Sequence, residues 1–466
     1  MTNWTTTTWK DVCSLKYGKA LKGYKHFDEN FPVYGSGGIL GSTQHPIAPA
    51  RSPIVARKGT LTVYWSKFAS HVIDTAFWLE PHGSLDAYWS YYALRNLDIS
   101  IFASGSGVPS ISRNDFYRGE LILPPLVDQK AIAHILGTLD EKIELNQKMN
   151  ETLEEIAKAI FKSWFVDFDP VRAKMEGRAT GLPDDISDLF SDELVDSKIG
   201  EIPKEWEILP LSACSIEIES GRRPKGGIDK SLTNGIPSVG AESIAPAGEF
   251  DFSKVKYVTP EFAEKMKKGR VQDFDVALYK DGGKPGQFIP RVGIYGEGFP
   301  FDNFFVNEHV FLLRSQELGQ PFLYRLITSG AFLDQLIAKG SAKAAQPGLN
   351  QGEVIDSTFV HPCPGTIAAF NTKTQPILER QFLLGKENKV LSELRDTLLP
   401  KLISGELNIP DAEKFLEETD DRCLLVMEDD CDIGTVASWG FTWKDFYAQI
   451  PYDYDVIQLA IINPAE

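Results

Sequence analysis

Cysteine is scarce in this chain. Five residues in 466 (Cys13, Cys214, Cys363, Cys423 and Cys431) are scattered without a CxxC pair. That spacing suits neither a disulfide framework nor a zinc site, and it points to a reducing cytosol. His134 and His309 have no companion ligands nearby in the sequence, so no metal site is expected. No apolar run reaches the roughly 18–20 residues of a membrane span. Met1 leads into Asn3, Trp4 and a threonine run rather than a basic and apolar signal segment, so a cytoplasmic protein is expected. Also missing are a P-loop, since Gly283-Lys284-Pro285 lacks its spacing, and the [DN]PP[YF] motif of an amino-methyltransferase.

Basic residues are in deficit as well: 48 Lys and Arg against 65 Asp and Glu leave a net charge of −17. A surplus of acid opposes binding to phosphate, so its location matters. Residues 1–125 carry +3, 126–199 carry −7, 200–365 carry −3, 366–418 carry −2 and 419–466 carry −8. The acid therefore concentrates in residues 126–199 and in the tail. Residues 1–125 and 200–365 are near neutral, and each can carry a basic face. A chain this acidic should bind DNA weakly alone and need a partner that supplies further phosphate contacts.

The length exceeds what a single core usually supports, and 42% apolar residues suffice for two or three cores. Residues 126–165 read as one long helix. Positions 132, 136, 139, 143, 146, 150, 153, 157, 160 and 164 step by four and three and form a coiled-coil seam, broken only by Asn146 and Asn150. Polar residues on a seam cost stability but fix register. The segment from Asn150 to Phe161 recurs 238 residues later, with Leu153, Ile156 and Ile160 matching Leu391, Leu394 and Leu398. At the same offset Ile111-Ser112-Arg113 matches Leu349-Asn350-Gln351. A repeat this long means duplicated domains rather than a solenoid. Short Val, Ile, Phe and Tyr runs cut by Gly and Pro, such as Pro53–Trp65 and Val276–Gly286, predict twisted strands and tight turns. The plan is a β-rich domain over 1–125, a helix over 126–165, a linker over 166–200, a second β-rich domain over 201–365, a helix over 366–405 and an extension over 406–466.

The runs Pro124-Pro-Leu-Val-Asp-Gln, Leu139-Asp-Glu-Lys-Ile-Glu-Leu-Asn-Gln and Ile160-Phe-Lys-Ser-Trp-Phe-Val-Asp-Phe-Asp-Pro, with Leu398-Leu-Pro-Lys-Leu-Ile-Ser-Gly, resemble the two conserved helices of specificity subunits of type I restriction-modification systems. Tyr34-Gly-Ser-Gly-Gly-Ile and Val55-Ala-Arg-Lys-Gly are similar to turns in that family's recognition domains. The resemblance implies an α+β protein in which two β-rich target-recognition domains are separated by two long helices forming an antiparallel coiled coil, with a pseudo-two-fold internal repeat. It implies a non-catalytic subunit that binds double-stranded DNA, two modification subunits and the restriction subunits. S-adenosylmethionine, ATP and Mg2+ then belong to those partners, and this chain carries no cofactor. The tail departs from the family. Arg422-Cys-Leu-Leu-Val-Met-Glu-Asp-Asp-Cys and Tyr454-Asp-Val-Ile-Gln-Leu are similar to the start of a lipopolysaccharide-type glycosyltransferase, although some 48 residues cannot build its nucleotide-binding domain. A glycosyltransferase-related protein and an acidic scaffold that mimics DNA are the competing readings.

Arg113, with Ser110 and Ser112, follows a Ser-Gly-Ser-Gly loop, and its counterpart is Asn350-Gln351 after Lys343. Arg reads guanine and Asn or Gln reads adenine, so these are candidate base contacts; the alternative is a capping turn before a strand. Arg57 and Lys58, and likewise Lys280 and Lys284, stand beside glycines that allow close backbone approach, or sit on solvated hairpins. Arg222, Arg223 and Lys225 precede Gly226-Gly227 and are candidate phosphate contacts. Phe161, Lys162, Trp164 and Phe165 form either part of a core seam or a docking face for the modification subunit.

Overall fold

The computed structural model describes residues 4–104, 108–229, 231–284, 286–343, 346–412 and 414. The tail sequence singled out above, 419–466, lies outside them. The described residues divide into two units, one running up to Leu145 and resuming at Asn388, the other Asn146–Glu387. The divisions fall inside the two long helices. No helix among the described residues is long and apolar enough to cross a membrane.

The first unit contains β1 (Thr5–Thr8), β2 (Cys13–Tyr17), β3 (Phe31–Gly35), β4 (Gly38–Thr43), β5 (Ser52–Ala56), β6 (Val63–Ser66), β7 (His71–Val72), β8 (Ala76–Pro81) and β9 (Glu120–Leu123). Its helices are α1 (Ala87–Asn96), α2 (Arg113–Arg118) and the N-terminal part of α3 (Leu126–Phe165). An antiparallel sheet of order β2-β8-β5-β6 and a small sheet β4-β3-β7, in which β3 and β7 run parallel, form its body. The Ser-Pro-Ile-Val-Ala run of β5 is buried along its whole length, as its apolar sequence demands of a central strand. β1 pairs with β9, with Thr5 opposite Leu123.

The second unit repeats this order with β10 (Glu207–Pro210), β11 (Glu217–Ser220), β12 (Ile236–Val239), β13 (Lys256–Val258), β14 (Asp275–Tyr279), β15 (Val292–Tyr295), β16 (Phe305–Val306), β17 (Val310–Arg314) and β18 (Thr358–His361). Its helices are α4 (Gln320–Thr328), α5 (Gly330–Ser341), α6 (Gln351–Ile355) and the N-terminal part of α7 (Pro364–Ser404). The sheets are β11-β17-β14-β15 and β13-β12-β16, again with one parallel pair, and β10 pairs with β18. Identical strand order and identical placement of the parallel pair make the internal duplication a property of the fold.

Within the second unit α3 and α7 run antiparallel. Asn150 meets Gln381, whose Nε2 donates to the Asn150 carbonyl at 3.3 Å, and Phe161 meets Phe370 with ring centroids 5.7 Å apart. Eight of the ten seam positions are buried, Asn146 and Asn150 among them. Asn150 also donates to the Ala247 carbonyl at 3.5 Å, so this polar seam position ties the helix to the sheet domain.

Each unit grips its helices through charge, partly buried in the first and buried in the second. In the first, Asp140 of α3 accepts from Tyr92 of α1 at 2.7 Å and from Arg395 of α7 at 2.7 Å. In the second, Arg325 of α4 forms a two-pronged pair with Glu154 of α3 at 2.5 and 2.6 Å. Burial pushes the Glu154 carboxyl up, but the Arg325 hydrogen bonds and charge outweigh it and hold the group below the usual carboxylate range.

Two expectations need correction. The presumed linker is packed. Asp169–Met175 is helical, Leu194–Ser197 pairs with Gly200–Pro203, Phe168, Val171 and Phe190 belong to the second unit's core, and Ala173 is buried as well. The acidic count hid four apolar residues spaced to fill a core. Phe161, Trp164 and Phe165 are buried at 5%, 3% and 7% exposure against Phe322, Phe370, Phe190 and Trp206. They are core rather than a face open to a modification subunit. Lys162 stays exposed and pairs with Asp167.

Candidate nucleic-acid interface

The candidate residues of the first unit converge on one edge. β5 ends at Ala56, and the next residues are held by main-chain bonds: Arg57 N–H donates to the Thr75 carbonyl at 2.9 Å, Ile111 N–H to the Arg57 carbonyl at 2.9 Å, and Gly59 N–H to the Pro109 carbonyl at 3.2 Å. Lys58 and Ser110 form an antiparallel bridge. Gly59 has φ +82°, which a side chain would resist, so the turn beside Lys58 requires glycine. Ser112 then caps α2, its hydroxyl accepting from Asp115 N–H at 3.1 Å and donating to the Asp115 carboxylate at 2.5 Å. Arg113 is therefore the first residue of a helix whose start is fixed.

Arg113 and Arg57 both lie over the ring of Tyr17, at 4.9 and 5.2 Å, and Arg57 also lies over Phe77 at 5.6 Å. Tyr17 is 45% exposed, at the end of β2. Two guanidiniums on one aromatic platform, neither ion-paired to a carboxylate among the described residues, make a cationic edge; Arg57 donates from one Nη to the Asp74 carbonyl at 3.3 Å, and Arg113 is the better placed of the two to meet an acidic or base-edge ligand. Lys58 is exposed beside it.

The same frame recurs in the second unit. Lys280 N–H donates to the His309 carbonyl at 3.0 Å, Leu349 N–H to the Lys280 carbonyl at 2.7 Å, and Gly282 N–H to the Pro347 carbonyl at 3.3 Å. Asp281 and Gly348 form the matching bridge. Asn350 caps α6 in a capping box with Glu353. Arg57 thus corresponds to Lys280, Lys58 to Asp281, Ser112 to Asn350 and Arg113 to Gln351. Register places Ser220 opposite Phe311, as Tyr17 is opposite Phe77, so serine takes the tyrosine's place. Lys280 lies over Phe311 at 4.7 Å.

Not every candidate is free. Ser112 and Asn350 are spent as caps, which corrects their reading as base contacts. Lys343 donates to the Gly348 carbonyl at 2.8 Å and to Glu353 at 2.7 Å. Burial pushes the Glu353 carboxyl up, but Lys343 and the Asn350 N–H outweigh it and hold the group low. Lys343 therefore braces the loop. Gln351 donates from its side chain to the Ile218 carbonyl at 3.3 Å but is exposed. Arg222 and Lys225 are exposed, Arg223 pairs with Glu308 at 2.7 Å, and Lys284 is exposed in a two-residue ladder with Gln287. None of those four supplies a bond of the recurring main-chain frame. Tyr17 escaped sequence reasoning; its only signal was an aromatic residue at a strand end before glycine.

Residues 1–155 match the family described as the type I restriction modification DNA specificity domain. The chain is 25% identical over 422 residues to the type I restriction enzyme MjaIX specificity subunit of Methanocaldococcus jannaschii, covering 86% of both proteins. The chain is thus similar to specificity subunits of type I restriction-modification systems. A further specificity subunit, that of the HindI enzyme of Haemophilus influenzae, is 26% identical over 339 residues, covering 66% of this chain and 73% of that one. The crystal structure of a type I S subunit from M. genitalium shares the fold, with a TM-score of 0.57 at 18% identity over 86% of this chain and 96% of that one. The family match spans the whole first unit's sheet domain and most of α3.

One further cluster is unrelated to the edge. Cys214, Glu317 and His361 of the second unit bring their ligand atoms within 4.8 Å of one another. The absence of a CxxC pair did not reveal this cluster, because the fold brings Cys214 to Glu317 and His361, both more than 100 positions away. Burial, and then the Glu317 charge, push the Cys214 thiol up to about 11.

Proposed function

We propose that this specificity subunit reads a bipartite DNA target, one half-site through Arg57, Lys58 and Arg113 and the other through Lys280 and Gln351. The observation that carries the reading is the recurrence of one main-chain frame with different side chains at its open positions. A duplicated scaffold that holds Arg in one copy and Gln in the other is built to distinguish two sequences. Arg113 suits the O6/N7 edge of guanine, and Gln351 suits the N6/N7 edge of adenine. Lys58 and the isolated Arg222, Lys225 and Lys284 serve phosphate, which positions without specifying.

Methyl transfer and cleavage belong to partner modification and restriction subunits, which bring S-adenosylmethionine, ATP and Mg2+. The acidic chain needs them for affinity as well as for chemistry. The test is reconstitution. The purified chain alone should transfer no methyl group, and addition of the cognate modification subunit should give adenine methylation dependent on S-adenosylmethionine, at a two-part motif. Methylation by the chain alone, or a host methylome unchanged by deletion of its gene, would overturn the proposal.

A further inference from the structure

Cys214, Glu317 and His361 come from three separate segments at the base of the second unit. Cys214 closes the short 3₁₀ turn Leu211–Ala213 that follows β10, Glu317 lies in the turn between β17 and α4, and His361 ends β18, three residues before α7 begins. Thiol, carboxylate and imidazole form a donor set that suits zinc-class divalent cations. The Nε2 atom of His361 is buried and has no hydrogen-bond partner. A buried ring nitrogen left without a partner demands an explanation. It stands 3.9 Å from Glu317 Oε1, too far for a hydrogen bond. Metal bonds of about 2.1 Å at a tetrahedral angle separate two ligands by roughly 3.4 Å. Closing the gap by about half an ångström suffices. The second oxygen of Glu317 already accepts from Ser215 N–H at 2.9 Å, which fixes the carboxylate's orientation beside the thiol.

The fold itself does not require this triad. In the duplicated pairing of the first unit, Leu123 faces Thr5 where His361 faces Glu207. The same architectural position thus carries an apolar side chain in one copy and an imidazole in the other.

We infer that Cys214, Glu317 and His361 bind a zinc-class divalent cation, which staples the second recognition domain to the strand that leads into its long helix. On binding, Cys214 Sγ gives up its proton to solvent and becomes the thiolate ligand, His361 binds through Nε2, Glu317 through one carboxylate oxygen, and water completes the tetrahedron. No electron changes hands.

The full-length chain, stripped with a chelator, is titrated with Co2+ and then with Zn2+. One equivalent of Co2+ should give a thiolate-to-metal charge-transfer band with intense tetrahedral d–d absorption, and Zn2+ should displace it. Cys214→Ser should abolish the band. Glu317 is partly exposed, so Glu317→Gln should keep the wild-type circular dichroism yet weaken Co2+ binding at least tenfold. A wild-type chain without the band, a Cys214→Ser chain that keeps it, or a folded Glu317→Gln chain with unchanged affinity would each overturn the inference.

Discussion

Arg113→Ala separates base reading from mere positive charge. Arg113 makes no main-chain contribution that its side chain supports: its backbone is fixed by the Ser112 cap and by the bond from Ile111 to Arg57. The substitution should therefore cost the fold only the stacking on Tyr17, about 0.5–1 kcal/mol for an exposed cation–π contact. Binding should suffer more. A guanine fork is worth about 1–3 kcal/mol, or roughly 5-fold to 150-fold in discrimination at one base pair. A phosphate contact would lower affinity evenly across sequences and reduce the salt slope by about one. The assay is fluorescence anisotropy of the subunit with its modification partner, on duplexes substituted singly across the half-site, at several salt concentrations. Arg113→Ala should flatten preference at one position with the slope unchanged, and Arg113→Gln should shift that preference from guanine toward adenine. If Arg113→Ala leaves affinity, preference and salt slope as they were, the Tyr17 edge is not the reading surface.

Two further outcomes concern the scaffold. Glu154→Ala leaves the Arg325 guanidinium buried and unpaired, which should cost about 3–5 kcal/mol, while the double variant Glu154→Leu/Arg325→Met should recover most of it in urea titrations of the second unit. Because the Glu154 carboxyl is held below its unfolded value, this contribution is complete above pH about 4.5 and disappears as pH falls through the folded value, so the gap between wild type and Glu154→Ala should close in acid. A gap independent of pH would assign the loss to packing. Gly221→Ala would place a methyl 1.6 Å from the Val306 carbonyl oxygen and should destabilise by about 3 kcal/mol or more, whereas Gly83→Ala, with nothing within 4 Å, should change the thermal midpoint little.

The duplication was legible in the sequence only where its two copies have kept equal length. From Ile111 onward the offset holds at 238, because a helix cap, a strand and a seam tolerate no insertions. At Arg57 and Lys280 it is 223, and at Tyr17 and Ser220 it is 203, since loops between the strands have grown without disturbing their pairing. Strand correspondence had to come from hydrogen bonds. The long helices announced themselves through apolar steps of four and three, and Asn150 on that seam meets Ala247 and Gln381 inside. What sequence alone could not separate was a free side chain from a spent one. Ser112, Asn350 and Lys343 have the chemistry of base or phosphate contacts, and only geometry shows them occupied by Asp115, Glu353 and Gly348. Tyr17 and His361 became visible only when strands distant in sequence brought them beside their partners.

The recurring frame also bears on how such a protein can change its target. The bonds that set the open positions run between main-chain atoms, which every residue except proline supplies alike. Arg57, Arg113, Lys280 and Gln351 can consequently be exchanged for other side chains without breaking that frame, at the loss only of their own side-chain contacts, while Ser112, Asn350 and the flanking glycines cannot. On the proposed reading, folding and recognition are assigned to different atoms of the same loop, and a new specificity would be reachable by single substitutions that leave the protein folded at every step.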